Sequence, residues 1–311
     1  MEIIRTNSFR AWLLASRPKT LICAIIPVLV ALSVVYTESK IHYFVFPMDI
    51  RWIPAVLCLL FAILMQIDAN LVNDYIDCRR GIDNENRIGP ARACANGYVT
   101  MPAMRRAIAV VTLLSCAVGL PLVAWGGWGM LLVGVACVAF CFLYSVVFSR
   151  WALGDVLVIV FFGIVPVCTT YYIQMLEPAG RDVILISVSL GLVIDSLLVV
   201  NNYRDRYTDR LAGKRTLATV LGDKGIIIFH LFLAGIPIFL LFDVLGDLDF
   251  IMTLWMLGHA SITYYMVFFN EKEDLDKVLK WTLVDILVFA VLLCVLYHIH
   301  SCSSVKSYMS I

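Results

Sequence analysis

The chain is 311 residues long, 61% hydrophobic and only 15% charged, with a formal net charge of +1 and a mean hydropathy of +0.90. That balance excludes a domain folding alone in water, whose surface needs far more charge, and places the chain in a bilayer. No nucleic-acid partner is expected.

In chain order, Met1 to Thr20 carries Arg5, Arg10, Arg17 and Lys19. It lacks a small-residue cleavage signature after a short apolar core, so no removable leader is expected and the first apolar run stays as a helix. A spanning helix needs roughly 20 mostly apolar residues. Runs of that kind cover 21–37, 53–73, 106–124, 128–148, 153–173, 183–203, 225–242, 250–269 and 282–299. The expected fold is all-α, a polytopic membrane protein of nine transmembrane helices around a central cavity, with residues 1–311 forming one domain.

Threading these runs alternately through the bilayer collects 20 of the 24 Lys and Arg residues on the side of the N-terminus. The positive-inside rule makes that side cytoplasmic. Ten cysteines are present, but most lie inside apolar runs, where a free thiol behaves as a small hydrophobe. His298, His300 and Cys302 fall on the opposite side, at an end expected to be wet and frayed.

Two polar clusters stand out, NDYIDCRRGID from Asn73 to Asp83 and NNYRDRYTDRLAGKRTL from Asn201 to Leu217. Both fall at the cytoplasmic ends of apolar runs. In the first, Asn70, Asn73, Asp74 and Asp77 recur at helical spacing and share one face; Asn202, Asp205 and Asp209 do the same in the second. Gly81 is expected to end the first helix and let Asp83 turn back toward the same cavity. A membrane chain gathers carboxylates and amides in this way only for a strong chemical reason.

Carboxylates do not hold a diphosphate directly, because both are anions. Both do ligate Mg²⁺, a hard ion that takes phosphate oxygens. The candidate metal ligands are Asn73, Asp74, Asp77, Asp83, Asp205 and Asp209, with Asp74, Asp77, Asp205 and Asp209 at the centre of the chemistry. Interleaved cations supply candidate phosphate contacts at Arg79, Arg80, Arg87, Arg204, Arg206, Lys214 and Arg215. Asn70, Asn73 and Asn202 add amides to the substrate site. Asp68 and Asp195 lie deeper and are expected to pair with neighbouring helices or sit neutral in the bundle. A solvated loop with surface ion pairs is the plainer reading of any charge run. The Asn-Asp-x-x-Asp order at one helix end, with a second Asn- and Asp-bearing helix end on the same side, weighs against it.

These stretches, with RIGPARACANGYVT from Arg87 to Thr100 and RPKTLICAIIPVLV from Arg17 to Val30, resemble the signatures of UbiA-superfamily intramembrane prenyltransferases. The Gly81-x-Asp83 ending, NNYRD, GKRTL and LGDVLVIVFFGIVPVCTTYYIQ from Leu153 are similar to the branch acting on 1,4-dihydroxy-2-naphthoate. The stretch after Tyr144, SVVFSRW, lacks a Gly-Gly-Pro run of that branch.

The resemblance implies a polyprenyl diphosphate donor, Mg²⁺ as cofactor and 1,4-dihydroxy-2-naphthoate as acceptor. It further implies loss of CO₂, a demethylmenaquinone product, a tail running into membrane lipid and a bacterial inner membrane. Tyr144, Tyr75 and Tyr203 are candidates for facing the allylic cation. Acceptors such as 4-hydroxybenzoate or homogentisate would keep the same metal site, and a non-enzymatic carrier is the alternative from another class.

Overall fold

The computed structural model describes residues 4–42, 49–81, 92–146, 151–211, 213–268 and 272–309. Ser8 starts α1 (Phe9–Ser16) by accepting the Ala11 N–H on its side chain at 3.4 Å, and Arg17 ends it in the left-handed region. Pro18 then opens α2 (Pro18–His42). The helix α3 (Trp52–Arg79) stops one residue before Arg80, and Gly81 follows at φ +67°. This is the helix end expected there, since positive φ costs glycine nothing.

Next come α4 (Met101–Gly126), α5 (Gly129–Val146) and α6 (Gly154–Met175). The chain continues as α7 (Arg181–Leu211), α8 (Leu217–Leu245), α9 (Asp249–Phe268) and α10 (Lys272–Met309). Among the described residues, eight helices are long and apolar enough to cross a membrane, and α5 is a shorter apolar one. The elements α2 to α10 take up the nine runs in order. The amphipathic α1 was not foreseen.

The protein is an integral membrane protein, and its surface shows it. Large apolar side chains such as Leu132 (73% exposed), Phe239 (81%) and Leu113 (69%) face outward where a soluble protein carries charge. Inside, Val30 and Val34 of α2, Tyr171 of α6, Ile186 and Leu190 of α7, Leu241 of α8, Trp255 of α9 and Phe289 of α10 join one buried cluster.

Two helices meet backbone to backbone. A Cβ added at Gly163 would sit 2.4 Å from the Ser187 carbonyl oxygen and 2.7 Å from Gly191 Cα. Such small-residue crossings draw membrane helices together where burial of apolar surface gives no drive. On α6 the crossing coincides with a π-helical stretch, Ile159–Ile164, just before Pro166, whose missing N–H loosens the preceding turn.

The loops at the end of the bundle that carries both polar clusters are tied to one another. Asn7 N donates to the Tyr98 carbonyl at 2.8 Å, Thr100 N donates to Asn7 Oδ1 at 3.1 Å, and Ala152 N donates to the Arg215 carbonyl at 2.9 Å. The far end differs from the frayed terminus expected of it. Helix α10 runs to Met309, and His298 Nδ1 lies 3.1 Å from Thr37 Oγ1 of α2.

Candidate active site

The helices enclose a cavity of about 1500 Å³, polar at its mouth and apolar in its body. Phe61, Phe140, Phe161 and Phe162 are among the lining residues of the body, with the Phe140 and Phe161 rings 4.8 Å apart. Asn70, Asn73 and Asp74 line the mouth from α3, and Asn202, Arg204, Asp205 and Asp209 line it from α7. The two clusters are thus brought to one opening by helices more than a hundred residues apart in sequence.

Each polar side chain is held individually. The buried Asn70 donates through Nδ2 to the Ser16 carbonyl at 3.0 Å and to Thr20 Oγ1 at 3.1 Å, which ties α3 to the α1–α2 junction. Asp74, 2% exposed, accepts the Ala93 N–H at 2.9 Å and the Cys94 N–H at 3.3 Å. Burial, reinforced by the Asp74 charge, pushes the Cys94 thiol up to about 12, so the thiol remains protonated at neutral pH.

Asp77 is not among the lining residues. Its Oδ2 receives a hydrogen bond from Lys214 Nζ at 3.0 Å and pairs with Arg92 at 3.6 Å, and both cations do line the cavity. Gly213 at φ +69° turns the chain after α7, and Lys214 N donates to the Asp209 carbonyl at 2.9 Å, which swings Lys214 back over the mouth.

On α7, Arg204 grips Asp205 as a fork, Nε and NH2 each 2.9 Å from a carboxylate oxygen. The same guanidinium reaches Asp276 of α10 at 2.7 Å and Asn201 Oδ1 at 2.8 Å. Arg206, by contrast, belongs to the α7–α8 interface. It donates to Asp223 at 3.0 Å and to the Tyr203 carbonyl at 2.6 Å, and lies over the Tyr203 ring at 3.9 Å. Tyr203 is therefore buried beside Arg206, and Tyr75 packs with the α1–α3–α4 cluster, whereas Tyr144 lines the cavity. Asp83 and Arg87 lie outside the described residues.

Sequence reasoning missed several contributors. Arg17, Lys19 and Arg92 at the mouth read as ordinary positive-inside residues, and Asp276 and Lys280 of α10 read as a loop, yet all five line the cavity. Of the two deeper acids, Asp68 accepts Thr112 Oγ1 of α4 at 2.6 Å, as a pairing with a neighbouring helix requires. Among the described residues Asp195 has no hydrogen-bond partner on either oxygen.

The lining set holds seven basic side chains against five acidic ones, an excess of positive charge suited to a polyanion. Among the described residues no three acidic, histidine or cysteine side chains converge as a ready metal cage. The hard oxygen set at the mouth nonetheless suits Mg²⁺, which is held by one or two carboxylates together with substrate phosphates. A carboxylate engaged by a guanidinium or an N–H keeps further lone pairs for an ion.

The chain is similar to known proteins along most of its length. A 1,4-dihydroxy-2-naphthoate octaprenyltransferase of Haemophilus influenzae is 31% identical over 278 residues, covering 84% of this chain and 86% of the relative. Its Escherichia coli K12 namesake is 35% identical over 240 residues, covering 74% and 73%. A UbiA homolog from Archaeoglobus fulgidus, solved bound to DMAPP and Mg²⁺, shares the fold at a TM-score of 0.61 and 16% identity, over 92% of this chain and 98% of its own. The profile of the UbiA prenyltransferase family matches residues 24–293, the stretch that holds both clusters and most of the cavity lining, and the chain belongs to that family.

Proposed function

We propose that residues 1–311 act as one intramembrane enzyme that transfers a polyprenyl group from its diphosphate to 1,4-dihydroxy-2-naphthoate, with loss of CO₂, to give a demethylmenaquinone in its hydroquinone form. The reaction is placed at the cytoplasmic face of a bacterial inner membrane. The observation that carries the reading is the cavity itself, a cationic, oxygen-rich mouth opening onto an apolar body. That shape fits a molecule with a polyanionic head and a hydrocarbon tail. The acceptor is supported by the names of the bacterial relatives, and the orientation by the 20 basic residues on one side.

In this reading Lys214, Arg215 and Arg92 contact the diphosphate, and Asn70, Asn73 and Asn202 orient it. Arg204 keeps the Asp205 carboxylate fixed toward the mouth. Asn73, Asp74, Asp205 and Asp209, with Asp77 and Asp83 as the remaining candidates, would hold Mg²⁺, which when bound would neutralise charge on the departing diphosphate. As the C1–O bond breaks, positive charge spreads over the allylic carbons against the faces of Phe140, Phe161 and Tyr144. The electron-rich ring carbon then forms the new bond, and apolar walls exclude water that would otherwise take its place.

The deciding experiment incubates purified protein with Mg²⁺, 1,4-dihydroxy-2-naphthoate and a series of prenyl diphosphates, following CO₂ and lipid product together. Stoichiometric release of both is expected. Turnover of 4-hydroxybenzoate with no CO₂ from the naphthoate would overturn the acceptor assignment.

A further inference from the structure

The cavity wall carries a second acidic feature that the metal-site reading does not use. Asp155, in the first turn of α6, lines the cavity, is 5% exposed, and has no partner on Oδ1. Behind it Asp195 of α7 is 0% exposed, with both carboxylate oxygens unpartnered. The two groups lie within electrostatic reach of each other. Helix packing sets them together, since a Cβ at Gly154 would lie 3.5 Å from Leu198 of α7 and 3.5 Å from the Tyr144 hydroxyl. The Gly163–Gly191 contact then locks the crossing further down.

Charging both carboxyls would leave two anions in low-dielectric surroundings, with no hydrogen-bond donor on those oxygens among the described residues. A shared proton removes that repulsion and leaves Asp155 Oδ1 facing the cavity, able to give or take a hydrogen bond. The depth is also informative. Asp195 precedes Asn202 by seven residues and Asp205 by ten, so it lies about 10 to 15 Å further into the membrane along α7. Asp155, three residues on from Ala152 with its bond to the Arg215 carbonyl, faces the cavity next to the mouth, where an acceptor ring must come to meet the prenyl C1 if the diphosphate occupies the mouth.

We propose that Asp155, backed by Asp195 and with Tyr144 beside it, is the binding and proton-exchange site for a ring hydroxyl of the aromatic acceptor. This rests on the functional reading above. As the ring carbon bonds to the prenyl C1 and the C1–O bond breaks, the hydroxyl proton passes to the carboxyl pair and the ring becomes a ketone. When the carbon–carboxylate bond breaks, its electron pair flows into that ketone, CO₂ departs, and the pair returns the proton to the ring oxygen. Protons and electrons balance with no further reactant. Asp155 is the catalytic residue and Asp195 a positioning residue that shares its proton.

The test uses full-length protein in lipid nanodiscs with Mg²⁺, comparing Asp155→Asn, Asp155→Glu and Asp195→Asn. The binding constant for geranyl thiolodiphosphate, an unreactive donor analogue, should stay within about twofold of wild type in all three, while Asp155→Asn loses roughly 10²- to 10³-fold in kcat/KM for the naphthoate. Asp155→Glu should recover part of that loss. Asp195→Asn should raise the solvent deuterium isotope effect on kcat as proton transfer becomes limiting, a change that a purely structural role does not produce.

Wild-type kcat/KM in Asp155→Asn, or a loss matched by equal loss of analogue binding, would overturn the proposal. If Asp155→Asn fails to insert, an unaltered isotope effect in Asp195→Asn does the same. Should wild-type protein bind the analogue yet leave the naphthoate untouched, the acceptor reading fails separately. The same variants are then judged with whichever hydroxyaromatic acid the wild type prenylates.

Discussion

Arg204 shows how far a side chain's role departs from its residue type. A guanidinium beside a phosphate site reads as a phosphate hand, yet here its fork is spent on Asp205, Asp276 and Asn201. Lysine has no planar fork, so Arg204→Lys should lower kcat/KM by about 10- to 100-fold, matching a loss of roughly 1.5–3 kcal/mol for a charged hydrogen bond. Steady-state assays across donor concentrations check this, and unchanged kinetics would remove the positioning role. Asp205→Ala should lose about 10²-fold or more while the protein still inserts, because the departing charge loses its stabilisation, and Asp77→Ala should lose as much because Lys214 and Arg92 lose the carboxylate that holds them at the mouth. Asp68→Asn should do far less, since it alters one contact with Thr112 away from the mouth. The candidate carboxylates were legible because helical spacing places Asp74 and Asp77 on one face at the end of α3, and Asp205 and Asp209 on one face at the end of α7. That Arg92 and Lys280 line the cavity was not, because only the folded 92–100 loop and the packing of α10 decide which of many cations at this end turn inward.

At the scale of elements, hydropathy located each spanning helix but undershot the length of several. Helix α7 continues to Leu211, beyond the 183–203 run, because its backbone bonds remain satisfied after the apolar residues end. The site occupies just those extra turns. Short α1 escaped notice because eight residues give no hydropathy signal, and the π-helical stretch of α6 depends on Pro166 and the close α7 contact together. That contact gives a prediction. Gly163→Ala must push against the Ser187 carbonyl, and overpacking of this kind costs about 1–3 kcal/mol. Thermal unfolding in detergent should fall by several degrees, with activity falling alongside as Asp155 and the α7 cluster shift apart. An unchanged melting temperature would mean that the helices can separate at no cost.

For the whole molecule, cationic loops at one end and an apolar girdle fix how it sits. With native cysteines replaced, Asn96→Cys in the exposed 92–100 loop should react with an impermeant maleimide only from the cytoplasmic side, and Glu177→Cys only from the other. The reverse pattern would invert the topology and move the cavity mouth to the outer face.

Helix α7 spans about 46 Å at 1.5 Å per residue, against roughly 30 Å of hydrocarbon. Its last turns, bearing Asn202, Asp205 and Asp209, therefore stand among lipid headgroups while the cavity body stays at acyl depth. A donor with a charged head and a long tail already floats at that level and meets the protein by lateral diffusion. Its effective concentration is a surface density. Diluting the vesicles with inert lipid at fixed total donor should weaken apparent affinity in proportion, whereas adding buffer at fixed lipid composition should leave it unchanged. Collision in two dimensions is what this geometry dictates, and kinetics that followed bulk molarity would contradict it.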